Sequence, residues 1–404
     1  MSKPAKLSRK EFLRIMATSL GAMAGGRLLA ACSPSGPVPV AASPTARSTI
    51  VQLLAATSPA AAMPASTAMA ATSSPAPADT AAPVVPTASS NPTADVTATP
   101  GGIRRPEMIK FYPDTTSQLV RVHHAGVMDG DKLVPAALRQ MLDAGITHLT
   151  GISDARQAWA ALFAPTETIA IKVNTILSSD YWTPVPLVMA VAQSLQDAGI
   201  PAEQIIIYDR DPSELGNAGF KINRDGPGVR CMNSTKYAKG YKLVGIDAGL
   251  SEVLLGCDAL INMPILKSHG NAGMTFAMKN HYGTFQRPTE FYHSGKGIQM
   301  GIAELNALPD IKNRTRLIVG SLLNFVGANS RGWSTAIPGD SLLFSFDPVA
   351  TDAYAMQEFQ KVVTLSGPSP KTVSALATPW IANAAKLGVG TDDPAHYQVN
   401  ELTL

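Results

Sequence analysis

Residues 261–283 read INMPILKSHGNAGMTFAMKNHYG. Two lysines (Lys267, Lys279), two histidines (His269, His281) and three asparagines (Asn262, Asn271, Asn280) sit there among small apolar residues. Charged residues make up only 16% of the chain, so this density is unusual. Buried cations are costly unless paired. A lysine in an apolar setting can hold an anion, or act with a lowered pKa. An imidazole can move protons or bind a metal. His269, His281 and Lys279 are therefore candidate catalytic residues, and Asn262, Lys267 and Asn280 candidate binding groups.

The turn Gly270-Asn271-Ala272-Gly273 reads as the opening of a helix over 274–281. A glycine-rich turn at a helix start is an anion-binding arrangement. On that helix Thr275 and Lys279 would share a face, while Met274 and Met278 would share another and pack in the core. The P-loop pattern GxxxxGK[ST] is absent. His269, His281 and His293 fall at intervals of twelve, which is not a metal spacing, and HxxxH and HExxH are absent. A divalent metal held by His269 and a partner remains one reading, with its identity open. A hydrogen-bonded structural histidine is the other. There is no CxxC pair, so no iron–sulfur cluster is expected.

More polar residues stand where apolar runs end. The run TIAIKV delivers Lys172 and Asn174, and QIIIY is followed by Asp209 and Arg210. ALINM delivers Asn262, then Lys267 and His269, and LLFSF is followed by Asp347. In open α/β sheets ligands bind beyond the carboxyl ends of strands. Lys172, Asn174 and Asp209 thus join the binding candidates. Lys172 also fits a structural salt bridge. Asp347-Pro348 fits a helix cap, which leaves Asp352 without an explanation. GxSxG and GxGxxG are absent.

The elements that must position these residues alternate. Strands are predicted at 119–123, 168–173, 204–208, 259–263, 317–319 and 342–346. Helices are predicted at 135–144, ended by Gly145, and from an N-cap at Thr183 with Pro184 first in the helix, to Gly199. Others fall near 251–255, at 347–363 and at 370–388. Residues 209–241 read as an irregular excursion. The βαβ unit at 168–208 argues for a parallel sheet. The fold predicted is α/β, doubly wound and mostly parallel. IAIKVN and LINMPILK share a layout that two related halves would also produce.

The N-terminal 32 residues read as an export signal: Lys3, Lys6, Arg9 and Lys10 precede a weakly apolar stretch. SRKEFLR resembles the twin-arginine type, with Lys10 for the second arginine. LAAC resembles a lipobox that would make Cys32 a lipidated N-terminus. Residues 33–100, rich in Ala, Pro, Ser and Thr and without Phe, Trp or Tyr, read as a disordered tether spanning roughly 45 Å. The α/β domain is placed at 101–404. The expected location is the cell envelope, on a membrane through the lipid. The chain holds 33 basic and 30 acidic residues; the signal takes six and one, leaving 27 and 29. With no basic run, nucleic acid is not an expected partner. Cys231 and Cys257 could pair or stay buried as thiols.

The segments IAIKVN, YDRD, LINMPILKSHGNAGMTFAMKNHYG and FDPVATDAYA together resemble the family catalogued as domain of unknown function 362, over about residues 119–365. The resemblance implies an α/β fold and no particular activity. Many members carry ferredoxin-type cysteine motifs, which this chain lacks, so no electron transfer carries over. Members often have an acidic residue where Gly320-Ser321 stand here. Three functions fit: an exported, lipid-anchored enzyme acting on a small anionic substrate, a non-catalytic anion-binding lipoprotein, or a structural surface module.

Overall fold

Apolar residues that alternate along each short run put one sheet between two helical layers. The computed structural model describes residues 109–176, 182–292, 297–328, 334–363 and 370–404, all within the unit Ser90–Leu404. The signal, Cys32, the tether to residue 100 and His293 lie outside them. In the first half run β1 (Ser117–His123), α1 (Pro135–Thr150), α2 (Ala155–Leu162), β2 (Ile169–Lys172), α3 (Val185–Asp197), β3 (Ile205–Asp209) and β4 (Arg230–Asn233). The central block forms β5 (Ala259–Asn262), β6 (Ile265–His269), β7 (Gly273–Thr275) and α4 (Ala277–Asn280). After it come α5 (Gly297–Ala307), β8 (Thr315–Ala328), β9 (Ser334–Ser345), α6 (Pro348–Val363), α7 (Pro370–Lys386) and β10 (Tyr397–Thr403).

These ten strands form one sheet in the order β10-β1-β9-β8-β5-β2-β3-β4, with β6 paired to β8 and β7. The run from β8 to β4 is parallel; β9 is antiparallel to both its neighbours. The two similar runs of the sequence lie side by side, with Lys172 opposite Asn262. Ile169, Ile171, Ile207 and Ile261 face one layer with α1, α2 and α3. Ala170, Tyr208, Leu260 and Ile318 face the other, with α5, α6 and α7. The predicted doubly wound, mostly parallel α/β fold is the observed one. Among the described residues no helix is long and apolar enough to cross a membrane.

Several local expectations need correction. Helix α1 does not end at Gly145 but runs on to Thr150, with Gly151 in the left-handed region at φ 72°. Gly145 is there for packing: a Cβ on it would lie 2.2 Å from the Phe344 ring of β9. Thr183 does not cap α3; its hydroxyl accepts from Asn174 N (2.9 Å) and donates to Met263 O (2.8 Å). Residues 209–241 are not irregular throughout. They hold a short helix (Pro212–Asn217), β4, and the first strand (Tyr237–Leu243) of a hairpin with Ile246–Ser251. The polar, glycine-rich sequence there masks two short strands, one paired with β3 and one with the segment that follows it. Cys231 and Cys257 are buried free thiols, packed in the cores on opposite faces of the sheet.

The close approach of α1 to β9 gives a direct test. Gly145→Ala should cost about 1–3 kcal/mol, the usual range for overpacking, read as a lower denaturant midpoint with an unchanged slope.

Candidate functional site

Chain order forks between β2 and β5. From β2 the chain continues to β3 and β4 on one side; from β5 it continues to β8 on the other. Neighbouring connections therefore diverge at the carboxyl ends of β2 and β5, the usual place for a ligand crevice. A cavity of about 200 Å³ lies there. Lys172, Asn174, Asp209, Lys267, Lys279 and Asn280 line it, and so does His269. Seven of the nine sequence candidates are thus brought to one place. Asn262 and His281 are buried nearby but do not line it.

The asparagines form a chain that ties the strand ends together. Asn262 donates to Ala277 O (2.8 Å), and its Oδ1 accepts from Asn280 Nδ2 (2.7 Å). Asn280 Nδ2 also donates to Lys172 O (3.2 Å), and Asn280 Oδ1 accepts from Asn174 Nδ2 (3.1 Å). Asn174 Oδ1 then accepts from Lys267 Nζ (2.7 Å). The amides therefore hold backbone and lysine.

Lys172 is 1% exposed and forms a buried ion pair with Asp209 at 2.8 Å. Its Nζ also donates to Val173 O (2.5 Å). Asp209 Oδ1 accepts from Arg210 N (2.8 Å), and Oδ2 from the N–H and hydroxyl of Thr175 (2.9 and 3.0 Å). Burial pulls the Lys172 ammonium below its ordinary value, and the Asp209 charge opposes this. The packing is tight because residue 283 is glycine: a Cβ there would stand 2.3 Å from Asp209 Oδ1 and 2.8 Å from Lys172 Nζ.

Lys267 and Lys279 bring further positive charge to the same cavity. Burial lowers Lys267 to about 7; Lys172 adds to the effect and Asp209 works against it. Burial and the Lys267 charge lower Lys279 to about 7, whose Nζ lies 4.5 Å from the centre of the Tyr282 ring. His269 Nδ1 accepts from Asn271 N (3.2 Å) and Ala272 N (3.1 Å). That fixes the neutral tautomer with its proton on Nε2. Burial, then Lys279 and Lys267, hold His269 down to about 3, so it is neutral at pH 7. His281 is likewise held at about 3, by burial and Lys172. Its Nε2 lies 3.5 Å from Asn262 Nδ2, and its Nδ1 has no partner among the described residues.

The expected helix over 274–281 is not formed. Residues 273–275 are β7, antiparallel to β6, and Gly270–Ala272 close that hairpin. The helix begins only at Ala277 and is one turn long. Its first amides are taken by Asp352: Ala277 N donates to Oδ1 (2.8 Å) and Met278 N to Oδ2 (2.9 Å). These two amides are thus held by a side chain of the protein, and Asp352 finds its explanation there. Burial pushes Asp352 up to about 8 against those two donors. Asp347 caps α6 as predicted, accepting from Val349 N and Ala350 N. Met274 and Met278 are core residues.

Among the described residues no three of His, Cys, Asp and Glu come together as a metal site. The cavity wall instead carries four cationic side chains, adding Arg210 to the three lysines, and two acidic ones, Asp209 and Glu214. That donor set suits an anion. Sequence reasoning did not single out Glu214, Tyr282 and Gly283 as part of this wall. Tyr282 and Gly283 end the polar block 261–283, but nothing local says that they face the cavity. Gly320 stands against the Phe276 ring, 2.4 Å from where a Cβ would be.

The ion pair can be tested by a double substitution. Lys172→Met alone should cost about 3–5 kcal/mol, because it leaves Asp209 buried and unpaired. Lys172→Met with Asp209→Leu should recover most of that loss. The measurement is denaturant unfolding of both variants.

No curated protein matches the chain. A solved structure from Thermotoga maritima shares 12% identity and covers 59% of this chain and 60% of its own, at a TM-score of 0.35. The chain thus spans about three fifths of that protein's length. The lactate racemase apoprotein of Thermoanaerobacterium thermosaccharolyticum shares 9% identity, covering 70% of this chain and 83% of its own, at a TM-score of 0.34. Residues 169–357, from β2 into α6, match the family described as Domain of unknown function (DUF362), the family that the sequence motifs resemble.

Proposed function

We propose that this protein is a cell-envelope enzyme acting on a small anionic substrate held at the fork of the sheet. The observation that carries the reading is the excess of buried lysine over carboxylate around one cavity. Lys267 and Lys279 would bind the anion. An amine near 7 is part neutral at physiological pH, so either could also take a proton or attack a carbon. His269, neutral with its proton on Nε2, suits donation of a hydrogen bond to an oxygen that gains charge. His281, outside the cavity, is not given a catalytic role.

A non-catalytic, anion-binding lipoprotein is the second reading. One observation favours it: both oxygens of Asp209 are already occupied, so the carboxylate nearest Lys172 is no free base. Small anions identified by thermal shift separate the two. An enzyme turns over a hit, and His269→Gln keeps binding while slowing turnover at least tenfold. A binding protein returns every hit unchanged.

Protonation sets the pH dependence. The unfolded chain protonates lysine up to about 10.5, the cavity amines only to about 7. Between these values the unfolded state binds more protons, so stability of the empty protein rises with pH. Below 7 both amines are charged and their burial cost is full, which an anion relieves. Acetate or sulfate, ionised throughout, should therefore bind more weakly as pH rises from 7 to 9, with proton uptake on binding. Calorimetry in buffers of different ionisation enthalpy reads both. Affinity that is flat over this range would remove the two lysines from the site.

The N-terminal pattern supports export and lipidation at Cys32, with a membrane as partner and the domain outside the cytoplasm. The twin-arginine-like run supports export of the folded protein. Cells fed a labelled fatty acid should label the wild type and not Cys32→Ala, which should leave the membrane fraction.

A further inference from the structure

A hydroxyl on the cavity wall, that of Thr275, has no hydrogen-bond partner among the described residues. Thr275 is 3% exposed. Leaving a buried hydroxyl unpaired is costly, and a ligand that supplies its acceptor removes the cost. Thr275 stands directly opposite Lys267 in the β6–β7 pair, so their side chains leave the same face. Lys279 follows four residues later and lines the same space. Lys267 and Lys279 thus border one volume.

Charge and shape narrow the ligand. With its lysines protonated, the wall carries four positive and two negative side chains. A ligand that balances the difference brings about two negative charges. Hydroxyl and amines line one small cavity, so those charges belong on one compact group; a dicarboxylate would separate them along its carbon chain. A planar carboxylate offers two oxygens. A phosphate monoester offers three acceptor oxygens with a charge of about −1.5 to −2 at pH 7. Resting on the reading of this cavity as an anion site, we propose that its ligand carries a phosphoryl group. The Thr275 hydroxyl, Lys267 and Lys279 each donate to a phosphate oxygen. A cavity of about 200 Å³ limits the rest of the molecule to a small ester, or to none.

Calorimetric titration of the full chain with inorganic phosphate, methyl phosphate, succinate and acetate tests this. Inorganic or methyl phosphate should bind at least tenfold tighter than succinate; which of the two is tighter tells a free ion from an ester. Thr275→Val should weaken the phosphate about tenfold, the effect of one hydrogen bond, while the empty protein melts at the same or a higher temperature. Thr275→Ser, which keeps the hydroxyl, should retain binding and decides the case if the valine variant melts lower. Unchanged phosphate affinity in Thr275→Val, or loss of it in a folded Thr275→Ser, overturns the proposal. So does succinate or acetate binding as tightly as phosphate, though the anion cavity then stands. If none of the four binds, the anion reading falls with it.

Discussion

Positive charge has been buried at the fork of a parallel sheet, and the surrounding structure answers that constraint. Lys172 ends β2 in a place with almost no solvent, and Asp209, at the end of the neighbouring β3, compensates it directly. Desolvating both charges is expensive, so such a pair holds only with good geometry and further hydrogen bonds. Those bonds are present: Thr175, the Arg210 amide and Val173 O complete the pair. Gly283 leaves the room they need. A second buried pair shows what a closed solution looks like. Arg316 and Glu167, 2.6 Å apart, meet with Leu162 O as a further acceptor, away from the cavity lining.

Lys267 and Lys279 break the balance. The Asp209 charge reaches Lys267 but is already engaged by Lys172, and both amines are driven toward neutrality. An electrically unbalanced wall around a small space is poor design for stability alone. Perturbed groups gathered in a cleft are, by contrast, what function demands. The same charges keep His269 neutral, so the lysines that would attract an anion also set the imidazole's role. The asparagine chain is the scaffold beneath: it joins β2, β5 and α4 and holds Lys267 by its amine.

The hairpin β6–β7 matters most to how these parts meet. It places Lys267 and Thr275 side by side, where a helix would have put Thr275 beside Lys279 alone. The one-turn α4 still delivers Lys279 and Asn280, because Asp352 of α6 anchors its first amides. The acidic residue that a helix start attracts thus comes from a distant helix rather than from a ligand.

Much of this was legible in the chain itself. β-branched runs ending in Lys172, Asp209 and Asn262 report strands and their polar ends, since alternation and burial are local in sequence. The parallel order followed from the βαβ pattern at 168–208. The density of lysine, histidine and asparagine in 261–283 marked the site because charge is rare in this chain. Other features depended on partners far along the chain. Whether 273–275 is strand or helix is settled by pairing with 267–269 and by the Val373 carbonyl, which leaves room only for glycine at 273. Gly145 reads locally as a helix end, and only the Phe344 ring makes it a packing residue. His269 and His281 look alike in sequence; one lines the cavity and the other lies beneath the asparagines. Residue type and spacing determine which groups can do chemistry, while burial, charge neighbours and unpaired hydroxyls exist only once the chain has closed on itself.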